Sequence, residues 1–320
     1  MTEERSQIER VVQSDKVWAS LITSMSYLPG LLTLHHSLVS SKTAYPFIAL
    51  HTDSFPAEGR AAIAARGIPL HQVPRLRPTG TRAYTCEPRF EDTWTKLTVF
   101  SLTAYARVVL LDCDMLVRRN MDELMTHPPL NPAVAAASST AGTKVFAAGH
   151  ACTCNPLKKP HYPPTWVPAS CPFTAHHADP AAAQTDGADR APRPLGLLNS
   201  GLLVVVPSAA HYGAIAARVE NAPAEWVFPD QDLLAELFRG RWVGLPYVYN
   251  ALKTLRWRGV HDVIWRDEEV KNVHYILSPK PWDCCEDDGA EGHDDSHRWW
   301  WAADGDRRAR EEADGIADGY

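Results

Sequence analysis

From Val17 onward, short apolar runs alternate with amphipathic stretches, the pattern of strands separated by helices around a largely parallel sheet. Each such unit can hide its apolar face only against the growing sheet, so the alternation restricts the chain to the α/β class. Val17 to Ser24 reads as the first strand, and LLTLHHSLVSS after Pro29 repeats its apolar residues at helical spacing before a second strand, FIALHT. Ala57 to Arg66 reads as a second helix, IPLHQVP as a third strand and Trp94 to Tyr105 as a third helix. That helix leads into the most strand-like run of the chain, Arg107-VVLLDCDM. After an irregular middle, LLNSGLLVVVP, the helical AHYGAIAARVE and DQDLLAELF, and the strand-like VHYIL bring the regular pattern to its end near Trp282.

Composition narrows the possibilities further. The 320 residues, 45% hydrophobic and 22% charged, suit one large or two small globular domains. The pattern places a single domain at 17–282, after a flexible segment at 1–16. A net charge of −6 supplies no general pull toward nucleic acid. MTEERSQIERVVQSDK holds no apolar block of the kind a secretory signal needs, and no run approaches the roughly 18 apolar residues of a membrane span. The expectation is a soluble, cytoplasmic protein. Seven cysteines, an odd number, are expected as free thiols. Cys152, Cys154 and Cys171 suggest metal at first sight, but Cys152-Thr-Cys154 lacks the CxxC spacing of a structural zinc site, so zinc is not expected there.

The stretch 151–194 is dense in Pro, Ala, His and Asp and reads as a long, mobile loop insertion. It is either a lid over an acceptor or a tolerated loop in which Lys158, Lys159, His161, Tyr162 and Trp166 have no role; Tyr162 and Trp166 have the rings to stack on a sugar. The acidic stretch 283–320 reads as peripheral, with Trp299, Trp300 and Trp301 as a patch that either packs on the core or docks a partner.

Asp112 and Asp114 flank Cys113 at the end of the apolar run. In an extended backbone residues two apart share a face, so both carboxylates can converge on a hard divalent cation at the carboxyl end of a strand. Two enzyme classes use such a pair. A phosphohydrolase of the haloacid dehalogenase type has it in a DxDx[TV] motif, with an aspartyl nucleophile; here the motif reads DCDML, with Leu116 in the fifth place. A nucleotide-sugar transferase uses the pair to hold a cation against the donor's diphosphate. It also needs a further ligand, a cationic side chain and groups that grip hydroxyls. His274, Lys280, Asn199 with Ser200, and Asp230 with Gln231 are candidates.

These residues carry a resemblance to glycosyltransferase family 8, in the branch of glycogenins and galactinol synthases. It rests on SLITSMSYLPGLLTLHHSL, TWTKLTVFSLTAYARVVLLDCDMLVRRNMDEL, LLNSGLLVVVPS, FPDQDLLAELF, LPYVYNALKTLRW and VHYILSPKPW, in the family's order from Val17 to Trp282. The resemblance implies a GT-A fold with a Rossmann-like, mostly parallel central sheet. It further implies Mn²⁺, or Mg²⁺ in its place, and transfer of glucose or galactose from UDP-glucose or UDP-galactose with retention, to a small polyol or saccharide. By matching motifs, Asp112, Asp114 and His274 would be the metal ligands and Lys280 would meet the diphosphate. Lys96 would meet the donor; Leu21, Thr23 and Tyr27 would line the uridine site; Asn199, Ser200, Asp230 and Gln231 would hold the donor sugar, with Asp230 as the candidate nucleophile of a double displacement. A silent UDP-sugar-binding protein is the other reading within the family, and a homodimer is compatible with either.

Three departures bear on substrate. Where glycogenins carry a further Asp before the Asp-Gln pair, this chain has Val227, and their self-glucosylated tyrosine aligns with Trp257, which has no hydroxyl. Leu277 stands where they have glycine beside the phosphates. The pattern is nearer to galactinol synthase.

Overall fold

The computed structural model of the chain describes residues 9–79, 90–127, 130, 143–190, 196–223, 226–284 and 294–320. Residues 1–8 of the amino-terminal segment, 191–194 of the insertion and most of the acidic run, 285–293, therefore lie outside the described residues. Among those described, seven strands form the main sheet: β1 (Lys16–Ile22), β2 (Phe47–His51), β3 (Leu70–Gln72), β4 (Arg107–Leu111), β6 (Phe146–His150), β7 (Leu198–Val205) and β8 (Trp242–Leu245). Their order is β3-β2-β1-β4-β7-β6-β8, with β7 antiparallel to both its neighbours and the other pairings parallel. A second sheet, in the order β5-β10-β9, joins β5 (Met115–Val117), β9 (Ala251–Leu252) and β10 (Asn272–His274).

The central strands read as unbroken apolar runs because both faces of the sheet are covered. Side chains of a strand alternate between faces, so Val108 and Leu110 of β4 enter one core with Phe100 and Phe146, and Val109 and Leu111 enter the other with Trp18 and Leu31. On the second face lies helix α1 (Leu28–Ser40), which starts with Pro29 in its first turn, where a missing N–H costs nothing. Helix α2 (Ala57–Ala65) follows it in the chain. The first face is covered by helices α4 (Ala209–Glu220) and α5 (Pro229–Leu237), which contribute Ile215, Val219, Leu233 and Leu234.

Two segments expected as helix and strand differ in detail. In place of one helix over 94–105, the chain makes a four-residue turn of helix α3 (Phe90–Thr93) and 3₁₀ turns over Trp94–Ser101. The strand expected over 107–114 ends at Leu111, and the chain turns through Asp112, Cys113 and Asp114 before β5 joins the other sheet.

The insertion and the carboxyl terminus also depart from expectation. Residues 151–189 do not form an open loop. They fold as successive 3₁₀ turns that put Cys171, Phe173, Ala183 and Ala188 into a third core with Tyr247, Leu255, Ile264 and Val273. The low density of apolar residues misleads because a few small buried side chains suffice when the surface they cover is supplied from elsewhere. Helix α6 (His297–Ala313) is integral as well. Trp300 is buried beside Trp282 in that third core, Thr33 Oγ1 of α1 donates to Asp304 at 2.8 Å, and Arg307 is buried between Asp304 and Glu311. No helix among the described residues is long and apolar enough to cross a membrane.

Candidate active site

The carboxyl end of β4 is where the two sheets part, and the turn there displays both aspartates. Asp112 N–H still pairs with the β7 carbonyl of Gly201 at 2.8 Å, whereas Asp114 C=O accepts from Tyr275 N–H, also at 2.8 Å, at the end of β10. Cys113 points the other way, its sulfur 3.2 Å from Leu21 O and 3.3 Å from Ser20 Oγ. The two carboxylates thus converge, as the spacing suggests, but through a turn pinned at both ends and not through extended backbone.

His274 completes the cluster: one donor atom from each of Asp112, Asp114 and His274 lies within 4.8 Å of the others. Its Nε2 is 3.2 Å from Asp114 Oδ1 and 3.8 Å from Asp112 Oδ2. Its Nδ1 is paired with Asn250 Oδ1 at 2.9 Å, which turns Nε2 toward the carboxylates. Gly201 leaves the room the ring needs, since a Cβ there would sit 2.3 Å from His274 Cε1.

Two lysines hold these carboxylates. Lys280 Nζ donates to Asp114 Oδ2 at 2.5 Å and to Tyr275 O at 2.8 Å, with both charged side chains almost wholly buried. Lys96 Nζ lies 2.8 Å from Asp112 Oδ1, 3.4 Å from Ser200 Oγ and 3.5 Å from Asp230 Oδ2. Burial alone would raise Asp114, but the Lys280 and His274 charges outweigh it and keep the carboxyl well below its ordinary range. Burial pushes Asp112 up, opposed by Lys96, and the adjacent Asp114 adds to the rise. Lys96 loses hydration too, yet Asp112 and Asp230 hold its ammonium charged beyond the usual range for lysine.

Opposite the cluster of Asp112, Asp114 and His274, the start of β7 meets the first turn of α5. Ser200 Oγ donates to Asp230 Oδ2 at 2.5 Å, Ser200 N–H donates to Gln231 Oε1 at 3.1 Å, and Asn199 Oδ1 accepts from Gly201 N–H at 3.1 Å and Asn250 Nδ2 at 2.8 Å. Leu21, Thr23 and Tyr27 form a third wall. Apart from Lys280, which stands behind Asp114, every candidate residue of the sequence lines this one cleft.

Several site residues were not among those candidates. Asn250 and Gly201 act on His274 from outside the ligand set, and only their place in VYN and NSG hints at it. Tyr162 and Trp166, which the sequence already offers as rings for a sugar, do reach the cleft, together with Phe228, which it does not single out; Trp166 stacks on Phe228 with ring centroids 5.0 Å apart. Phe228 is visible in sequence only as a neighbour of the Asp-Gln pair.

Comparison with known proteins agrees with this geometry. Residues 19–285 match the sequence model of glycosyl transferase family 8. Galactinol synthase 3 of Arabidopsis thaliana is 23% identical over 279 residues, which cover 86% of this chain and 76% of that protein. Glycogenin of Neurospora crassa is 23% identical over 298 residues, 91% of this chain and 35% of its own length. The solved structure of the galactosyltransferase LgtC in complex with donor and acceptor sugar analogs is similar with a TM-score of 0.55 at 16% identity, covering 91% of this chain and 95% of that one. At that identity the likeness is one of fold, and the fold is GT-A.

Proposed function

The chain belongs to glycosyl transferase family 8, and from that premise we propose that it is a metal-dependent, retaining hexosyltransferase. It would move glucose or galactose from UDP to an acceptor hydroxyl, nearer in activity to galactinol synthase than to glycogenin. Family membership displaces the phosphohydrolase alternative for Asp112 and Asp114.

The observation that carries the reading is the meeting of two carboxylates and an imidazole, backed by a buried ammonium, across one cleft from Asn199, Ser200, Asp230 and Gln231. Oxygen and imidazole donors of this kind suit Mn²⁺ or Mg²⁺. Bound to Asp112, Asp114 and His274, such an ion would offset charge on the departing nucleotide diphosphate.

The side chains have separable tasks. Leu21, Thr23 and Tyr27 are the wall for the uridine. Lys280, behind Asp114, would add positive charge near the departing diphosphate, and Lys96 stands between Asp112 and the proposed hydroxyl-binding side of the cleft. Asn199 and Gln231 offer amides that both donate to and accept from sugar hydroxyls. Asp230 already accepts the Ser200 hydroxyl and faces Lys96, and a carboxylate so engaged is a weaker nucleophile. This favours attack by the acceptor hydroxyl on the face the phosphate leaves, with the leaving phosphate taking the proton. Tyr162, Trp166 and Phe228 provide rings on which a sugar can lie. Trp257 has no hydroxyl to accept a sugar, and its indole N–H is committed to Asp294.

The test is UDP release from UDP-glucose and UDP-galactose, with and without Mn²⁺, with myo-inositol or a saccharide added. The Asp112→Ala/Asp114→Ala variant is the control. Metal-dependent turnover absent from the control is expected. Tight UDP-sugar binding without turnover would point to the silent reading, and no binding would overturn the proposal.

A further inference from the structure

A second cluster of ligating atoms lies beside the cleft, at the junction of the insertion with the lobe built around β9 and β10. Cys152, Cys154, Cys171 and His261 each direct one atom to a common point, all four within 4.8 Å of one another. Cys154 Sγ is 3.1 Å and Cys171 Sγ 3.2 Å from His261 Nε2, and Cys171 Sγ is 3.9 Å from Cys152 Sγ. The cysteines are unbridged. We infer that these four residues are a structural zinc site that fastens the insertion to the catalytic domain.

The Cys171–Cys152 separation matches that of tetrahedral coordination, and the two sulfur–nitrogen separations are a few tenths of an ångström short of it. Zinc bonds of about 2.3 Å to sulfur and about 2.0 Å to nitrogen place two sulfurs about 3.8 Å apart and a sulfur and nitrogen about 3.5 Å apart. Without a cation the arrangement is poorly satisfied, because the single lone pair of His261 Nε2 can accept from only one of the thiols around it. The imidazole is also held as metal-bound histidines are: His261 is 1% exposed, and its Nδ1 is 2.8 Å from His177 Nε2. Three thiolates and one imidazole select zinc over the hard ions suited to Asp112, Asp114 and His274, and four protein ligands leave no open position for chemistry. Coordination releases the thiol protons and requires nothing else.

The unpromising one-residue gap between Cys152 and Cys154 is therefore compatible with zinc, because the missing ligand comes from 90 residues beyond Cys171. The site also has a consequence for the cleft. Cys152 lines it, and Tyr162 and Trp166 lie on the segment between Cys154 and Cys171. Zinc there fixes the base of the segment that brings these two rings to the cleft.

The test counts metal on the full chain, purified under reducing conditions without chelator. Plasma mass spectrometry should find about one zinc per chain. The zinc should persist in the Asp112→Ala/Asp114→Ala variant and fall at least tenfold in Cys154→Ser. Cobalt exchanged into the wild-type protein should show thiolate-to-cobalt charge transfer and tetrahedral d–d absorption, and His261→Cys should keep the metal. These two measurements decide the matter if Cys154→Ser does not fold. The inference is overturned by a protein that neither carries zinc nor gives the cobalt spectrum, by metal that departs with Asp112 and Asp114, or by a mass lowered by the two hydrogens of a disulfide. None of these readings depends on sugar transfer, so the zinc site and the transferase can fail separately.

Discussion

Replacing Asp114 with leucine should destabilise the protein far more than the loss of one metal ligand would suggest. The Asp114 and Lys280 side chains are 8% and 4% exposed, and their charged atoms are 2.5 Å apart. Without the carboxylate, Lys280 Nζ keeps the Tyr275 carbonyl at 2.8 Å and the Tyr27 ring at 5.8 Å but loses its paired anion, and stays buried with an uncompensated charge. Removing one member of a buried pair costs about 3–5 kcal/mol. At about 1.5 °C per kcal/mol for 320 residues, Asp114→Leu should lower Tm by about 4–8 °C. The double variant Asp114→Leu/Lys280→Met removes both charges and fills their space with apolar groups, so it should regain most of that loss. UDP release should be absent from both variants. Thermal unfolding without added Mn²⁺, run beside the turnover assay, separates the two effects. A single variant that loses less than about 1 kcal/mol, or a double variant no more stable than the single, would show that Lys280 is not stranded and refute the reasoning.

The remaining predictions concern the supports of the cluster, acidity and one strained residue. Gly201→Ala would place a Cβ against the His274 ring, and Asn250→Ala would release His274 Nδ1. Each should weaken Mn²⁺ binding by about 10–100-fold in calorimetry while the protein stays folded, and unchanged affinity would remove them from the supporting shell. His35, packed against Phe47 on α1, has its pKa lowered from 6.5 to about 4 by burial and then by His36. The unfolded chain therefore takes up the proton first as pH falls, so the stability from this group is complete above pH 6.5 and is lost between 6.5 and about 4. Its share is at most about 3 kcal/mol, and His35→Gln should flatten the fall in denaturant midpoint across that window. Leu277 adopts φ 67°, the conformation that glycine takes without strain and other residues adopt at a cost of about 1–2 kcal/mol. Leu277→Gly should thus leave stability within about 1 kcal/mol of the wild type, the relieved strain offsetting the greater freedom of the unfolded chain. A larger loss in chemical denaturation would mean that the side chain is held by packing.

How much of this was legible in the sequence depended on distance along the chain. Strands β1, β2, β4 and β7 announce themselves because burial on both faces leaves continuous apolar runs, and Asp112 and Asp114 are visible because their neighbours in sequence are also their neighbours in space. Even there the reason differs from the one the spacing gives, since a turn tied to Gly201 and Tyr275 does what an extended strand was expected to do. Lys280 and His274 could be placed only through the family's motif. Asn250, Gly201 and the partnership of His261 with three cysteines have no local signature, because each acts on a residue far away in the chain. The insertion misled for the same reason: its proline-rich composition predicts mobility, while its order comes from contacts with Tyr247, Ile264 and His261. The tail misled by its acidity, since Asp304, Asp306, Glu311 and Asp318 pair with arginines of the same helix or with Arg66.

The charges of the cleft explain how such a site can stand ready. Asp112, Asp114 and Asp230 put three negative charges in one cavity, where they repel one another. Lys280 pairs with Asp114, and Lys96 with Asp112 and Asp230, so each carboxylate has an ammonium beside it. Lys96 lines the cleft itself, whereas Lys280 supports Asp114 from behind. Under the proposed function, a donor would meet ion pairs that are already formed within a fixed frame. That is why the frame itself, in Gly201, Asn250 and the cysteine-histidine cluster, is where small substitutions should be felt most.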